Sequence, residues 1–120
     1  MISDYRKGIH YKLYFTELEK IMNLLENGSK NYHEAKKKII GEDIKTVQFG
    51  WPIGMPLVRK VDVNLWEVRS KIDNRISRVI FTVYGEFIVL IHGFIKKSQK
   101  IPIKDLKLAK KRLSNLRGNL

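Results

Sequence analysis

The chain has 120 residues, of which 43% are hydrophobic and 30% are charged, and it contains no cysteine. This length and apolar content predict a single domain, residues 1–120, with a substantial core. The lack of cysteine excludes disulfides, thiolate metal sites and a cysteine nucleophile. The three histidines, His10, His33 and His92, have no metal-ligand spacing, so we expect no metal and no other cofactor.

The formal net charge is +12, and two thirds of it lies in the last 25 residues, where nine cations accompany Asp105 alone. Through counterion release such a field favours binding to a polyanion, of which nucleic acid is the commonest in a cytoplasm. The alternatives are a merely soluble basic surface or one that docks on an acidic protein. Residues 1–10 lack the apolar core of a secretory signal and no run is long enough to cross a membrane, so a cytoplasmic location is expected.

The first predicted element is a half-buried strand over residues 9–15, in which alternate residues are apolar. Thr16 and Glu19 then form a capping box at the start of an amphipathic helix that ends at Asn27-Gly28. We expect this helix to be structural.

A second capping box begins another helix, whose apolar stripe is predicted at Tyr32, Ala35, Ile39 and Ile40 and could continue at Ile44 and Val47. Gly41 is a position where this helix could break or kink, since glycine costs about 1 kcal/mol relative to alanine. Lys36–Lys38 are predicted to lie away from the apolar face. They are either a solvated surface or contacts to phosphate, and Lys37 is the candidate for RNA binding.

Residues 49–56 contain two prolines and two glycines, which predicts a packed loop. Strand patterns follow it, and a tight turn at Gly85 joins the last two. The patterns cover residues 57–61, 64–70, 75–84 and 87–96. The last three of these patterns form a meander, which together with residues 9–15 predicts an α+β fold in which a twisted antiparallel sheet of about four strands carries N-terminal helices and a C-terminal helix.

The C-terminal helix begins near Pro102, and its buried stripe is predicted at Leu106, Ala109, Leu113 and Leu116. Another face carries lysines at helical spacing, which either follow a phosphate backbone or are simply solvated. These lysines are Lys100, Lys104, Lys107 and Lys111.

Alternation places Glu67 and Arg69 on one face of their strand, and Arg78 on an otherwise apolar face of the next. A buried arginine needs an anion, which is either an internal carboxylate (Glu67 or Asp62) or a bound phosphate. His92 is either a satisfied core histidine or a general acid or base. Cleavage of RNA by its own 2′-hydroxyl would use these residue types, because it needs a base, an acid and cations to stabilise the phosphorane.

Several blocks in order resemble the HigB-type toxins of the RelE/ParE superfamily, and most closely its phage-derived HigB-like subfamily. The blocks are Gly54–Lys60, Leu65–Arg69, Arg78, Leu90–Pro102 and Ala109-Lys110. They cover about half of the chain, and the first 50 residues are similar only in layout. The resemblance implies a small RelE-like fold, with helices on one face of the sheet and a basic RNA cleft on the other.

The resemblance also implies a toxin of a type II toxin–antitoxin system, an endoribonuclease (mRNA interferase) that cleaves mRNA on the ribosome and inhibits translation. The implied partner is a HigA-like helix-turn-helix antitoxin, in an assembly of two toxins and two antitoxins. Operator DNA would be bound only through the antitoxin.

The functional positions of the family fall on Arg69, Arg78, His92, Lys96 and Lys97. Arg69 and Arg78 are expected on the phosphate, His92 or Lys97 in proton transfer, and Glu67 in orienting a neighbour. The RNA-binding set is completed by Arg75, Lys100, Lys104, Lys107, Lys111 and Lys37.

Two other functions remain open at this point. ParE-like members of the superfamily keep the fold without ribonuclease activity and poison DNA gyrase by binding it. A non-catalytic RNA-binding domain is the third interpretation.

Overall fold

The computed structural model describes residues 11–15, 30–96 and 100–118. Within these ranges the chain forms an α+β fold of two helices and one five-stranded sheet. The strands are β1 (Lys12–Phe15), β2 (Val58–Asp62), β3 (Leu65–Ile72), β4 (Arg75–Tyr84) and β5 (Phe87–Lys96). The helices are α1 (Lys30–Gly50) and α2 (Ile103–Gly118). The helix predicted over residues 16–28 lies outside the described residues.

The sheet has the strand order β1-β5-β4-β3-β2, and β2 to β5 form an antiparallel meander. The prediction of about four antiparallel strands is wrong in two respects. Residues 58–62 form a fifth strand, because pairing with β3 supplies the hydrogen bonds that so short a segment lacks alone. β1 pairs with β5 in parallel, which is possible because a long connection containing α1, and not a hairpin, follows it.

Tight turns set the register of the meander. The predicted positive φ at Gly85 is confirmed at 57°. Asn64 and Asp73 adopt the same left-handed conformation in the two preceding turns, with φ of 57° and 56°. Asparagine and aspartate tolerate this conformation better than other non-glycine residues.

The two helices pack on opposite faces of the sheet, which we call the α1 face and the α2 face. On the α1 face, Ile40, Ile44 and Val47 join a cluster with Val68, Phe81 and other inward residues of the strands. On the α2 face, Ala109 and Leu113 join Leu65, Ile80 and Ile91. The expected arrangement, with helices on one face only, is therefore wrong, although the buried stripe predicted for α2 is confirmed at Ala109 and Leu113. Neither helix is long and apolar enough to cross a membrane.

α1 runs through Gly41 without a break. Its buried side comprises Lys36, Ile40, Ile44 and Val47, at spacings of four, four and three residues. The predicted apolar stripe is confirmed at Ile40, Ile44 and Val47. It is wrong one turn earlier, where Ala35 and Ile39 are exposed and Lys36 is only 5% exposed. The long aliphatic part of a lysine side chain allows such burial when its ammonium group reaches a polar partner.

The predicted packed loop before β2 is confirmed by Trp51. Its ring stands edge-on to Trp66 at 5.0 Å and to Phe81 at 5.3 Å, measured between ring centroids. These contacts bury the aromatic surface and fix the approach of the chain to β2.

Two β-bulges decide which side chains share the α2 face. In β2, Arg59 pairs with Glu67 and Asp62 with Leu65, so the register shifts near Val61. In β5, Leu90 pairs with Phe81 but His92 pairs with Ile80, which leaves Ile91 as the extra residue. A bulge shifts side-chain alternation by one position. Arg59 and His92 are thereby brought to the same face as Glu67.

Candidate functional site

The candidate site is a charge cluster in which three arginines surround one glutamate on the α2 face. Arg59 Nη2 lies 2.8 Å from Glu67 Oε1, and Arg69 Nε lies 3.6 Å from the same oxygen. Arg78 Nη1 lies 3.6 Å from Glu67 Oε2. Three guanidinium groups against one carboxylate leave a net charge of +2, which is suited to binding an anion. We call these four residues the arginine cluster.

Each member of the arginine cluster is positioned by strand register. Glu67 and Arg69 are alternate residues of β3, so they point to the same side. Arg59 lies directly across from Glu67 on β2, and Arg78 directly across from Arg69 on β4. Directly opposed residues have side chains on one face, which explains why these four converge.

Burial within the cluster follows a gradient. The side chains of Glu67 and Arg78 are 0% exposed, that of Arg69 is 14% exposed and that of Arg59 is 33% exposed. Solvent therefore approaches from β2, and the Glu67–Arg78 pair forms the floor of the site. Burial lowers the pKa of Arg78, and the charges of Arg59 and Arg69 lower it further, whereas Glu67 raises it. Arginine nevertheless stays charged at neutral pH, because a guanidinium is not deprotonated in proteins.

The contacts inside the arginine cluster are ion pairs with poor hydrogen-bond geometry. Two of the three are 3.6 Å long, compared with about 2.7–2.9 Å for a strong charge-assisted hydrogen bond. Among the described residues, neither oxygen of Glu67 accepts a hydrogen bond of good geometry, even from Arg59 at 2.8 Å. A buried carboxylate with such contacts is typical of a site that is not optimised for stability alone.

His92 connects β5 to α2. Its Nε2 lies 2.8 Å from Asp105 Oδ1, and its Nδ1 lies 3.1 Å from Arg112 Nη1. Arg112 Nη1 also donates to the backbone oxygen of Ile91 at 3.0 Å. Because a guanidinium can only donate, Nδ1 accepts and Nε2–H donates to Asp105. Both ring nitrogens of His92 are thus used in holding the helix.

The exposed surface of α2 is basic. Lys104, Lys107 and Lys111 are exposed, and Lys100 is exposed just before the helix. Lys110 Nζ lies 3.4 Å from Asp62 Oδ2, which links the helix to the turn between β2 and β3. The predicted lysine row therefore lies on the outside of an element that packs on the same sheet face as the arginine cluster.

The structure does not bring all of the predicted residues together. Arg75 pairs with Ile72, whose side chain is in the core of the α1 face, so Arg75 belongs to the opposite side of the sheet from the cluster. Lys37 is in α1, which also packs on that opposite side. Lys96 ends β5, in register with Ile76. Lys97 lies outside the described residues.

Sequence reasoning missed Arg59 as a site residue. A regular two-residue hairpin at Val63-Asn64 would place Lys60 opposite Glu67, because pairing would continue without a shift from Asp62 and Leu65. The bulge puts Arg59 there instead. The sequence did contain one indication of this role. Arg59 lies on the strand just before that of Glu67, and a hairpin between the two strands brings the residues together.

Comparison with known proteins places the chain in a family. Residues 30–114 match the family described as Phage derived protein Gp49-like (DUF891), and the match covers more than two thirds of the sequence. The chain belongs to this phage-derived family, which is toxin-like and related to the RelE and HigB proteins. No functionally curated protein matches the sequence.

Proposed function

We propose that the protein is the toxin of a type II toxin–antitoxin system and acts as an endoribonuclease on mRNA at the ribosome. The observation that carries the proposal is the arginine cluster, whose net charge of +2 lies partly exposed beside a basic helix. Membership of a toxin-like family supports the biological role. Membership of the HigB-like subfamily, and neutralisation by a HigA-like antitoxin in a complex of two toxins and two antitoxins, are parts of the same proposal.

The proposed reaction is transfer of the phosphodiester to the adjacent ribose. The 2′-oxygen forms a bond to phosphorus, its proton passes to a base, the bond from phosphorus to the 5′-oxygen breaks, and an acid protonates that oxygen. Arg69 stabilises the extra negative charge on phosphorus, since a guanidinium is planar and permanently charged. Glu67 contacts Arg69 from below, and Arg78, the buried partner of Glu67, contributes a positive charge to the site.

We assign His92 to the positioning of α2, because proton transfer by its ring would require loss of its bond to Asp105 or Arg112. Lys97 therefore remains the predicted residue for proton transfer. Lys100, Lys104, Lys107 and Lys111 are proposed to bind the phosphates of mRNA or ribosomal RNA, without a part in bond cleavage.

A short pulse of expression in a bacterial host, followed by mapping of RNA 5′ ends, tests this function. Wild-type protein should create new 5′ ends inside reading frames and stop growth. Arg69→Ala should do neither, whereas Lys45→Ala, which removes an exposed charge from α1, should behave as wild type. Growth arrest with DNA breaks and without new 5′ ends would favour gyrase poisoning and refute the ribonuclease.

A further inference from the structure

We infer that Arg59, together with Arg69, forms the solvent-facing half of an anion site that takes one phosphodiester of single-stranded RNA. The inference rests on the proposed function for the identity of the ligand, and it adds Arg59 to the site. Glu67 and Arg78 form the buried half, in which Glu67 contacts the two outer guanidinium groups from beneath.

Exposure is the first argument. A ligand that enters from solvent meets Arg59 first, at 33% side-chain exposure, and Arg69 next, at 14%. Arg78 has no exposed surface and can act on the ligand only through its charge and through Glu67. The outer position therefore belongs to Arg59, and the contact of Arg59 with Glu67 orients its guanidinium towards the site.

Charge is the second argument. The net charge of +2 exceeds what Glu67 can neutralise, so a phosphodiester with one negative charge lowers the repulsion among the three arginines. The nearby carboxylate of Asp62 is already engaged, since it accepts from the backbone of Val63 at 2.7 Å and pairs with Lys110 at 3.4 Å. An anion at the exposed side of Arg59 and Arg69 therefore interacts favourably with the net positive charge of the arginine cluster.

The bulge at Val61 is the third argument. Without it, Arg59 would lie on the α1 face and Lys60 would oppose Glu67. Bulges are characteristic of places where a strand redirects a side chain towards a functional site. Because of the bulge, the residue opposite Glu67 is an arginine and not a lysine. An arginine can bind a phosphate with two parallel hydrogen bonds, whereas a lysine binds it as a point charge.

The rim of the site favours an unpaired nucleotide. Met55 is 59% exposed, and its sulfur lies 3.8 Å from Arg69 Nη1. A polarizable apolar side chain beside a guanidinium offers a surface on which one base can pack while its phosphate is held. A base in a duplex is already stacked and cannot use this surface, so we assign the ligand to the single-stranded class.

The test compares Arg59→Gln with Lys60→Ala, a control that removes one positive charge from the next residue of the same strand on the other sheet face. Affinity for a fully 2′-O-methylated, and hence uncleavable, RNA oligonucleotide is measured by fluorescence anisotropy over a range of salt. Arg59→Gln should bind about tenfold more weakly, and its slope of log affinity against log salt should fall by about 0.7. Lys60→Ala should stay within about twofold of wild type. Equal effects of the two substitutions would overturn the inference.

A second measurement uses the wild-type protein and does not depend on the folding of a variant. Inorganic phosphate is titrated while the Nε–H resonances of the arginines are followed by NMR. The resonances of Arg59 and Arg69 should shift together with one saturation curve, and an unchanged Arg59 resonance would refute the inference.

If Arg59 responds to phosphate but wild-type protein neither binds nor cuts RNA, the anion site stands and the ribonuclease proposal fails. If the protein cuts mRNA but Arg59→Gln keeps its affinity and salt slope, the function stands and this role of Arg59 fails.

Discussion

Arg78 Nη1 lies 3.6 Å from Glu67 Oε2, and neither side chain has any surface exposed to solvent. Removal of one partner from such a pair leaves an uncompensated buried charge, which costs far more than the pair itself contributes. Glu67 also contacts Arg59 and Arg69, at 2.8 Å and 3.6 Å. Stability of the fold and the charge of the candidate site therefore depend on one contact.

The first prediction concerns this pair. Glu67→Gln should lower the free energy of unfolding by about 3–5 kcal/mol, because the three arginines lose the charge of a carboxylate that all of them contact. Urea denaturation followed by circular dichroism measures the change. The double variant Glu67→Leu/Arg78→Met should recover part of the lost stability and yet remain non-toxic, since the floor of the site is gone. A loss below about 1 kcal/mol in Glu67→Gln would show that the charges are screened by solvent.

The second prediction separates a structural from a catalytic His92. His92→Gln should destabilise the packing of α2 and reduce, but not abolish, RNA cleavage, because His92 holds the helix through Asp105 and Arg112. Asp105→Asn should have a similar effect on stability. The double variant should cost about 0.5–3 kcal/mol less than the sum of the two single changes, since both break the same contact. Complete loss of cleavage with unchanged stability would make His92 a catalytic residue.

The third prediction concerns the outer surface of α2. Replacement of Lys107 and Lys111 by alanine should weaken RNA or ribosome binding and lower the salt slope by about 0.7 for each lost phosphate contact. The rate of cleavage at saturating RNA should not change. The matched control, Lys38→Ala/Lys45→Ala, removes two exposed charges from α1 on the other side of the sheet. If both pairs weaken binding equally, attraction is due to the overall charge and not to α2.

The fourth prediction uses the pKa of Asp62, which the backbone N–H of Val63 and then Lys110 lower below its usual value of 3.8. A carboxyl whose pKa is depressed by folding stabilises the native state above its unfolded pKa, and that contribution disappears as pH falls through the folded pKa. Asp62→Asn should therefore have a lower melting temperature than wild type at pH 7. The difference should shrink below pH 3.8, and a difference that persists at pH 2 would contradict this explanation.

Hydrophobic patterning was sufficient to predict much of the fold. The meander from residue 64, the turn at Gly85 and the buried side of α2 follow from alternation, a positive φ and helical spacing. The pairing of the edge strands β1 and β2 was harder to predict. β2 is short and β1 pairs over a long sequence separation, so local pattern carried little information about either pairing. The stripe of α1 was predicted correctly at Ile40, Ile44 and Val47 but not in the turn before them, where Lys36 takes the buried place.

The candidate site could be predicted only in part. Alternation correctly grouped Glu67 with Arg69, and a buried Arg78 correctly implied an anion, which proves to include Glu67. Alternation correctly placed the strand positions of His92 and Lys96 on the same face. Carried across the bulges at Val61 and Ile91, however, a strict period of two assigns Arg59 and His92 to the wrong face. Neither bulge is marked by glycine or proline. The tertiary pairing, and not the local sequence, creates the complete cluster.

The central claim is that the protein cuts RNA at a phosphate held by the arginine cluster. The most direct measurement incubates purified protein with ribosome-bound mRNA, and with the same mRNA carrying a 2′-deoxy nucleotide at the mapped cleavage position. Wild-type protein should cut the first, leaving a 2′,3′-cyclic phosphate and a 5′-hydroxyl, and should leave the second intact at that position. Arg69→Ala should be slower by about 100-fold or more. Cleavage of the deoxy-substituted mRNA, or equal rates for wild type and Arg69→Ala, would contradict the account.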